Sequence, residues 1–155
     1  MIADLYLTTL TIHSYLRWLV VIAAVAAVIC AFLGLIRNRS FKSGGRKFGA
    51  IYTGLLDLQL LIGIYLYATS PIVRVALANM AVAMKQKELR FFAVEHLTTM
   101  LITVVLAHVG SIRSKRAPND KTAYSRALFW YLASTIVLFL GIPWWRPLLR
   151  PWGGG

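Results

Sequence analysis

Two of the three histidines in this chain, His13 and His96, lie where parallel crossing helices would hold them level, inside long apolar stretches where a polar ring is costly to place without a purpose. The other residues able to do chemistry in such stretches are Arg17, Asp57, Glu95 and His108. Counting inward from Leu10, His13 is about 4.5 Å deep at 1.5 Å per residue, and counting from Arg90, His96 is about 9 Å deep. That difference is within the spread of about two to four residues with which helix ends are read from sequence. If the two helices run parallel, the imidazoles share a level. A pair of neutral imidazoles on facing helices is what a six-coordinate b-type haem takes, one nitrogen on each side of the iron. The same pair would equally serve as a buried polar cluster that fixes helix register.

Arg17 is one turn from His13 on the same face. An arginine about 10 Å inside a bilayer needs a partner, and a haem propionate would match its two-pronged geometry. Glu95, at similar depth, is the other partner, and an Arg17–Glu95 ion pair would tie the first and third stretches together. Met100 is one turn from His96 on its own helix face, so it cannot reach the opposite side of the same iron and is read as pocket wall. Asp57 lies about 20 Å deep with no cation plainly at its level. It is read as a hydrogen-bonding carboxyl toward Thr103 or a backbone carbonyl, with proton relay to a quinone as the rival role. His108 is twelve residues beyond His96, about 18 Å along the helix, but no other stretch offers it a second histidine. A second bis-histidine haem is therefore not expected, and His108 is read as a satisfied polar residue near the inner interface.

The elements that must position these residues are four apolar stretches, over 5–36, 48–69, 91–112 and 127–144, each near or above the roughly 20 residues that span a bilayer. The chain has 155 residues, 59% of them hydrophobic, and a mean hydropathy of +0.68, which together describe one integral membrane domain over 1–155 with no sizeable aqueous part. Any chemistry must then occur within the membrane or in a partner subunit. The net charge of +12 does not mark a nucleic-acid binder, because the basic residues cluster between the apolar stretches. Arg37, Arg39, Lys42, Arg46 and Lys47 fill the loop at 37–47, and Arg113, Lys115, Arg116, Lys121 and Arg126 the loop at 113–126. By the positive-inside rule both loops face the cytoplasm and both termini the outer side.

The connection at 71–90 is too long for a turn. Ile72, Val73, Ala76, Leu77, Met80, Ala81 and Met84 recur at helical spacing, which predicts one short helix lying at the interface. Pro143, Trp144, Trp145 and Pro147 end the fourth stretch as an interfacial belt to which no chemistry is assigned, and Trp152 to Gly155 read as a flexible tail. Cys30, the single cysteine, can form no internal disulfide. The first residues lack a signal peptide's basic start and cleavage site, so the first span is read as a retained anchor. Ala23, Ala24, Ala26, Ala27, Gly54 and Gly63 would let a flat macrocycle slip between helices, or let the helices pack closely with nothing between them.

Three motifs taken together, His13-Ser14-Tyr15-Leu16-Arg17-Trp18, Asp57-Leu58-Gln59-Leu60-Leu61-Ile62-Gly63 and Arg90-Phe91-Phe92-Ala93-Val94-Glu95-His96, resemble a family of small four-span bacterial membrane proteins labelled cytochrome-b-like. The resemblance extends over nearly the whole chain, including Ser70-Pro71 and Ile142-Pro143-Trp144, and it implies haem. Better-known four-span b-type cytochromes carry histidines on more helices, whereas the second and fourth stretches here have none. A haem-dependent porphyrinogen oxidase family of similar size would want a lysine within a span; none is present, and that reading ranks lower.

The expectation is an all-α, transmembrane up-down-up-down four-helix bundle with a short interfacial helix between spans two and three. Its first functional reading is a b-type cytochrome with a single haem b held by His13 and His96, with Arg17 on a propionate and Glu95 orienting Arg17 or a ligating histidine. It would act in electron transfer as a subunit beside other membrane proteins, with quinone as a possible partner, rather than as a stand-alone enzyme. The alternative is a cofactor-free accessory subunit of a larger membrane assembly. A small transporter is weaker still, since only Asp57 approaches a midplane polar site.

Overall fold

The computed structural model describes residues 2–147 and Leu149; the tail at 152–155 lies outside them. All regular structure among the described residues is helical, in the order α1 (Ile2–Ile36), α2 (Gly45–Thr69), α3 (Pro71–Ala78), α4 (Met80–Ala83), α5 (Lys87–Arg90), a π-helical turn (Phe91–Glu95), α6 (His96–Lys115) and α7 (Asp120–Leu140). Four helices are long and apolar enough to cross a membrane: Asp4–Ile36, Gly45–Thr69, Lys87–Lys115 and Asp120–Leu140. Their large exposed side chains are hydrocarbon: Ile22 on α1, Leu61 on α2, Val105 on α6, and Phe129 and Leu140 on α7. That is the surface a lipid solvent requires and water does not favour.

Local chemistry sets the helix ends. Ser70 terminates α2 in an extended conformation ahead of Pro71, which disfavours helix in the residue before it, and Ser70 then caps α3 by accepting from the Val73 amide. Asn119 caps α7 by accepting from the Thr122 amide at 2.8 Å, with Asp120 in the first turn where the helix dipole favours an anion. The segment expected to be one helix over 71–90 is instead three short ones. Asn79 breaks it (φ −148°, ψ 83°) and spends its side chain on the Val82 amide, so helix restarts on a new axis. Val73, Ala76 and Ala83 are buried there, while Leu77, Met80 and Met84 of the expected stripe stay exposed.

The core sits where α1 packs against α2 and α7, and α6 against α7 and α2. Ala23, Ala24, Ala27 and Ala31 line the buried side of α1 and let its neighbours approach closely. The largest fully buried side chains are tyrosines, each with its hydroxyl placed: Tyr52 against Ser134 Oγ at 2.8 Å, Tyr124 donating to the Ser40 carbonyl at 3.0 Å, and Tyr131 beside Gly49 and Gly110. Asp120 accepts from the Phe41 amide at 2.9 Å and pins the 37–44 connection to the start of α7.

Gly34 is required by this packing, because a Cβ there would lie 2.2 Å from the Tyr124 ring. Gly34→Val is expected to cost about 1–3 kcal/mol through overpacking and to lower the melting temperature in detergent. Gly44→Ala, whose added carbon meets nothing closer than 3.6 Å, is expected to melt close to wild type. Thermal scans of the two variants check this.

Candidate functional site

His13 and His96 come together. Their ring centroids are 6.4 Å apart, with the planes at 76° to one another. His96 is the first residue of α6, directly after the π-helical turn. Such a turn carries one extra residue and changes the face that later residues present, a device found often at functional sites. His96 is then held by a helix end. α7 stops at Leu140, where the last carbonyls lack partners within the helix, and the Gly141 carbonyl lies 2.7 Å from His96 Nδ1. A carbonyl only accepts, so Nδ1 carries the proton and a neutral ring keeps its lone pair on Nε2.

His13 is held from α2. The Gln59 side-chain amide donates to the His13 carbonyl at 3.1 Å and lies 3.3 Å from His13 Nε2. His13 Nδ1 and Gln59 Oε1 are buried with no hydrogen-bond partner, as is Trp18 Nε1. A buried polar atom left without a partner costs about 1–3 kcal/mol, so the two at His13 and Gln59, which both line one cavity, mark a place where the described residues do not complete their hydrogen bonds.

These rings form part of the wall of a cavity of about 560 Å³, inside the roughly 300–1,000 Å³ range of small-molecule and cofactor sites. Leu56, Leu60, Leu97, Met100, Val104 and Leu138 make its apolar walls, and Arg17 lines it one turn from His13. Gly63, where a Cβ would come within 3.4 Å of His13 Cε1, is the small residue that opens space at the ring. Of the other small residues, Ala23, Ala24 and Ala27 are spent on the core and Gly54 faces outward.

The segment after α7, read from sequence only as a membrane belt, folds over this end. Ile142, Pro143, Arg146 and Pro147 join the cavity wall. Arg146 pairs with Glu88 and lies over the Phe92 ring at 4.7 Å, Trp145 meets Phe91 at 4.5 Å, and Lys87 lies over Trp145 at 4.6 Å. Arg146 thus supplies a second guanidinium to the cavity. Its signal was a basic residue between two prolines at a helix end. Gln59 also went unflagged as a site residue, although a side-chain amide in a span is itself a signal.

Three expectations change. Glu95 is paired with Arg90, Nε to Oε1 at 2.5 Å, and does not line the cavity. Adjacent helical residues diverge by about 100°, so with His96 facing inward Glu95 is turned aside. Asp57 does have a partner at its level: His108 Nε2 lies 3.4 Å from Asp57 Oδ2. Neither residue lines the cavity, so the Asp57–His108 pair is a separate feature between α2 and α6. Thr103, the partner expected for Asp57, instead donates to the Thr99 carbonyl, and its own carbonyl accepts from Ser134.

Among the described residues no group of three or more His, Cys, Asp or Glu side chains is placed to hold a metal ion. The histidine pair brings two imidazoles to the cavity wall. Comparison with protein-family models, with curated proteins and with solved structures finds no match to this chain.

The hold on His96 depends on close contact between the end of α7 and α6. A Cβ on Gly141 would lie 2.2 Å from Met100 Cε and 2.5 Å from Thr99 Oγ1. Gly141→Val is expected to push the carbonyl off His96 and to lower the melting temperature in detergent by several degrees, with a loss of about 1–3 kcal/mol. A scan indistinguishable from wild type would show that this contact yields freely.

Proposed function

We propose that this chain is a small b-type cytochrome of the bacterial inner membrane, binding one haem between His13 and His96 and transferring electrons as a subunit of a membrane redox complex. The observation that carries the reading is the histidine pair itself: two rings from different helices, 6.4 Å apart, at the wall of a cavity of about 560 Å³. Imidazole nitrogens bind metal ions at about 2 Å, so two rings at this separation would leave room for one metal ion between them. Fit to the group is further supported by the His96 lone pair left on Nε2, by the unpartnered His13 Nδ1, and by two guanidinium groups in the wall.

Bound haem would supply reversible one-electron transfer at its iron. The chain's residues have separable tasks. His13 and His96 hold the metal, and the Gly141 carbonyl orients His96 and raises its basicity. Arg17 and Arg146 offset the carboxylate charge of the propionates. The leucines of the wall exclude water, which favours electron transfer over side chemistry at the metal.

The arrangement belongs to an up-down-up-down bundle with the loops at 37–47 and 113–126 in the cytoplasm. Support comes from the helix contacts, with His13 against Gln59 at one end and Gly34 against Tyr124 at the other, and from the basic residues of both loops. The short helices over 71–90 then lie at the outer interface beside the cavity, with quinone and other membrane subunits as candidate partners. The family labelled cytochrome-b-like, to which the three motifs bear a resemblance, points the same way.

A cofactor-free accessory subunit is the second reading. It is favoured by the Gln59 amide near His13 Nε2 and by the edge-on contact of the two rings, a polar cluster that holds helices without any added group.

The deciding measurement is a dithionite-reduced minus oxidised visible spectrum of the purified protein in detergent. Sharp α and Soret bands are expected, absent from both His13→Ala and His96→Ala. A flat spectrum from folded protein leaves the accessory reading. Arg17→Gln is expected to keep the spectrum but to weaken haem retention about tenfold, read by transfer to apomyoglobin.

A further inference from the structure

Asp57 is the central residue of α2, and its side chain is 49% exposed; its partner His108 on α6 is 41% exposed. Both therefore stand on the outer surface and outside the cavity wall. Much of the exposed mid-helix surface elsewhere is hydrocarbon, with Leu19, Ile22 and Ile29 on α1 and Phe129, Leu132 and Ile136 on α7. Beyond each other, the pair has only the Val104 carbonyl, 3.0 Å from His108 Nδ1. Hydrocarbon offers nothing to the remaining lone pairs of the carboxyl group, so acid and base half-exposed in a bilayer require a cover.

The same face of α2 is shaped for close approach. Gly54, three residues from Asp57, has nothing within 4 Å of its Cβ direction, and Ala50, one turn further, is exposed. Small residues four apart let two helices bring their backbones together in a membrane.

We propose that this face of α2 and α6 is the contact surface for a second copy of the same chain. The patch carries its own complement, an acid on α2 and a base on α6. A two-fold axis beside it sets Asp57 of one copy against His108 of the other, twice over. Each carboxyl group then faces a second imidazole edge instead of lipid, and the small-residue strip brings the two α2 helices close enough for the four groups to meet. The inference rests on the membrane reading and is independent of haem.

The test uses the full chain with Cys30→Ala, reconstituted in phosphatidylcholine vesicles and retained after a carbonate wash. Retention separates failure of the inference from failure to insert. With copper phenanthroline as oxidant, Gly54→Cys is expected to give a species of twice the chain mass, and Ile22→Cys on α1 is not. Leu58→Cys, on the same face as Gly54, guards against the new thiol itself blocking the contact. In dilution series followed by single-molecule photobleaching, Asp57→Asn and His108→Gln are each expected to weaken pairing about tenfold. Equal cross-linking from the α1 and α2 positions, or pairing unchanged in both polar variants, would overturn the proposal. Monomers at all dilutions would also overturn it, and assign the face to lipid or to a different subunit.

Discussion

In hydrocarbon, a polar group must find its partner inside the protein, and most of this structure follows from that constraint. The backbone meets it by forming helices. Side-chain hydroxyls meet it by turning back on their own helix: Thr11 to the Leu7 carbonyl, Thr53 to Gly49, Thr103 to Thr99, Ser114 to Gly110 and Thr135 to Tyr131. Where a hydroxyl reaches across instead, it does so as a connected set, from Tyr52 to Ser134 to the Thr103 carbonyl, which ties α2, α7 and α6 together. Against that background the unpartnered atoms of His13 and Gln59 stand out, because both residues line the cavity.

The two ends of the molecule solve different problems. At one end Gly34, Gly45 and Gly49 surrender their side chains so that Phe41, Tyr124 and Tyr131 can fill the space, and the packing closes. At the other, Gly63 gives up its side chain beside the His13 ring, in the wall of the cavity. The aromatic and charged residues around Arg146, Glu88, Phe92 and Trp145 cover that end instead. A chain with material enough to close one end has left the other hollow, with both histidines facing the hollow.

Much of this was legible in the residues. The helical class and the four stretches able to cross a membrane follow from length and hydropathy, since about 20 apolar residues have few other fates. The shared level of His13 and His96 followed from counting at a fixed rise per residue, which works because a helix is a ruler. Rotation about the helix axis is less legible than depth. Glu95 and His96 differ little in depth but face apart, and the π-helical turn before them has no simple signature in composition. Likewise Asn79 carried the means to break the 71–90 helix, but whether its side chain caps or points to solvent depends on what α3 and α4 pack against.

Composition and periodicity thus determine which residues are at what depth, because hydropathy and helical rise are properties of a segment. Tertiary structure decides which of them meet. Gln59 reaches His13, Gly141 reaches His96, Asp57 finds His108 and Arg146 turns over the cavity. Each of those meetings joins two separate elements, so each depends on the azimuth and separation of the elements that carry it. Packing alone sets those quantities, through a glycine that admits a tyrosine at one end and a glycine that lies against the His13 ring at the other.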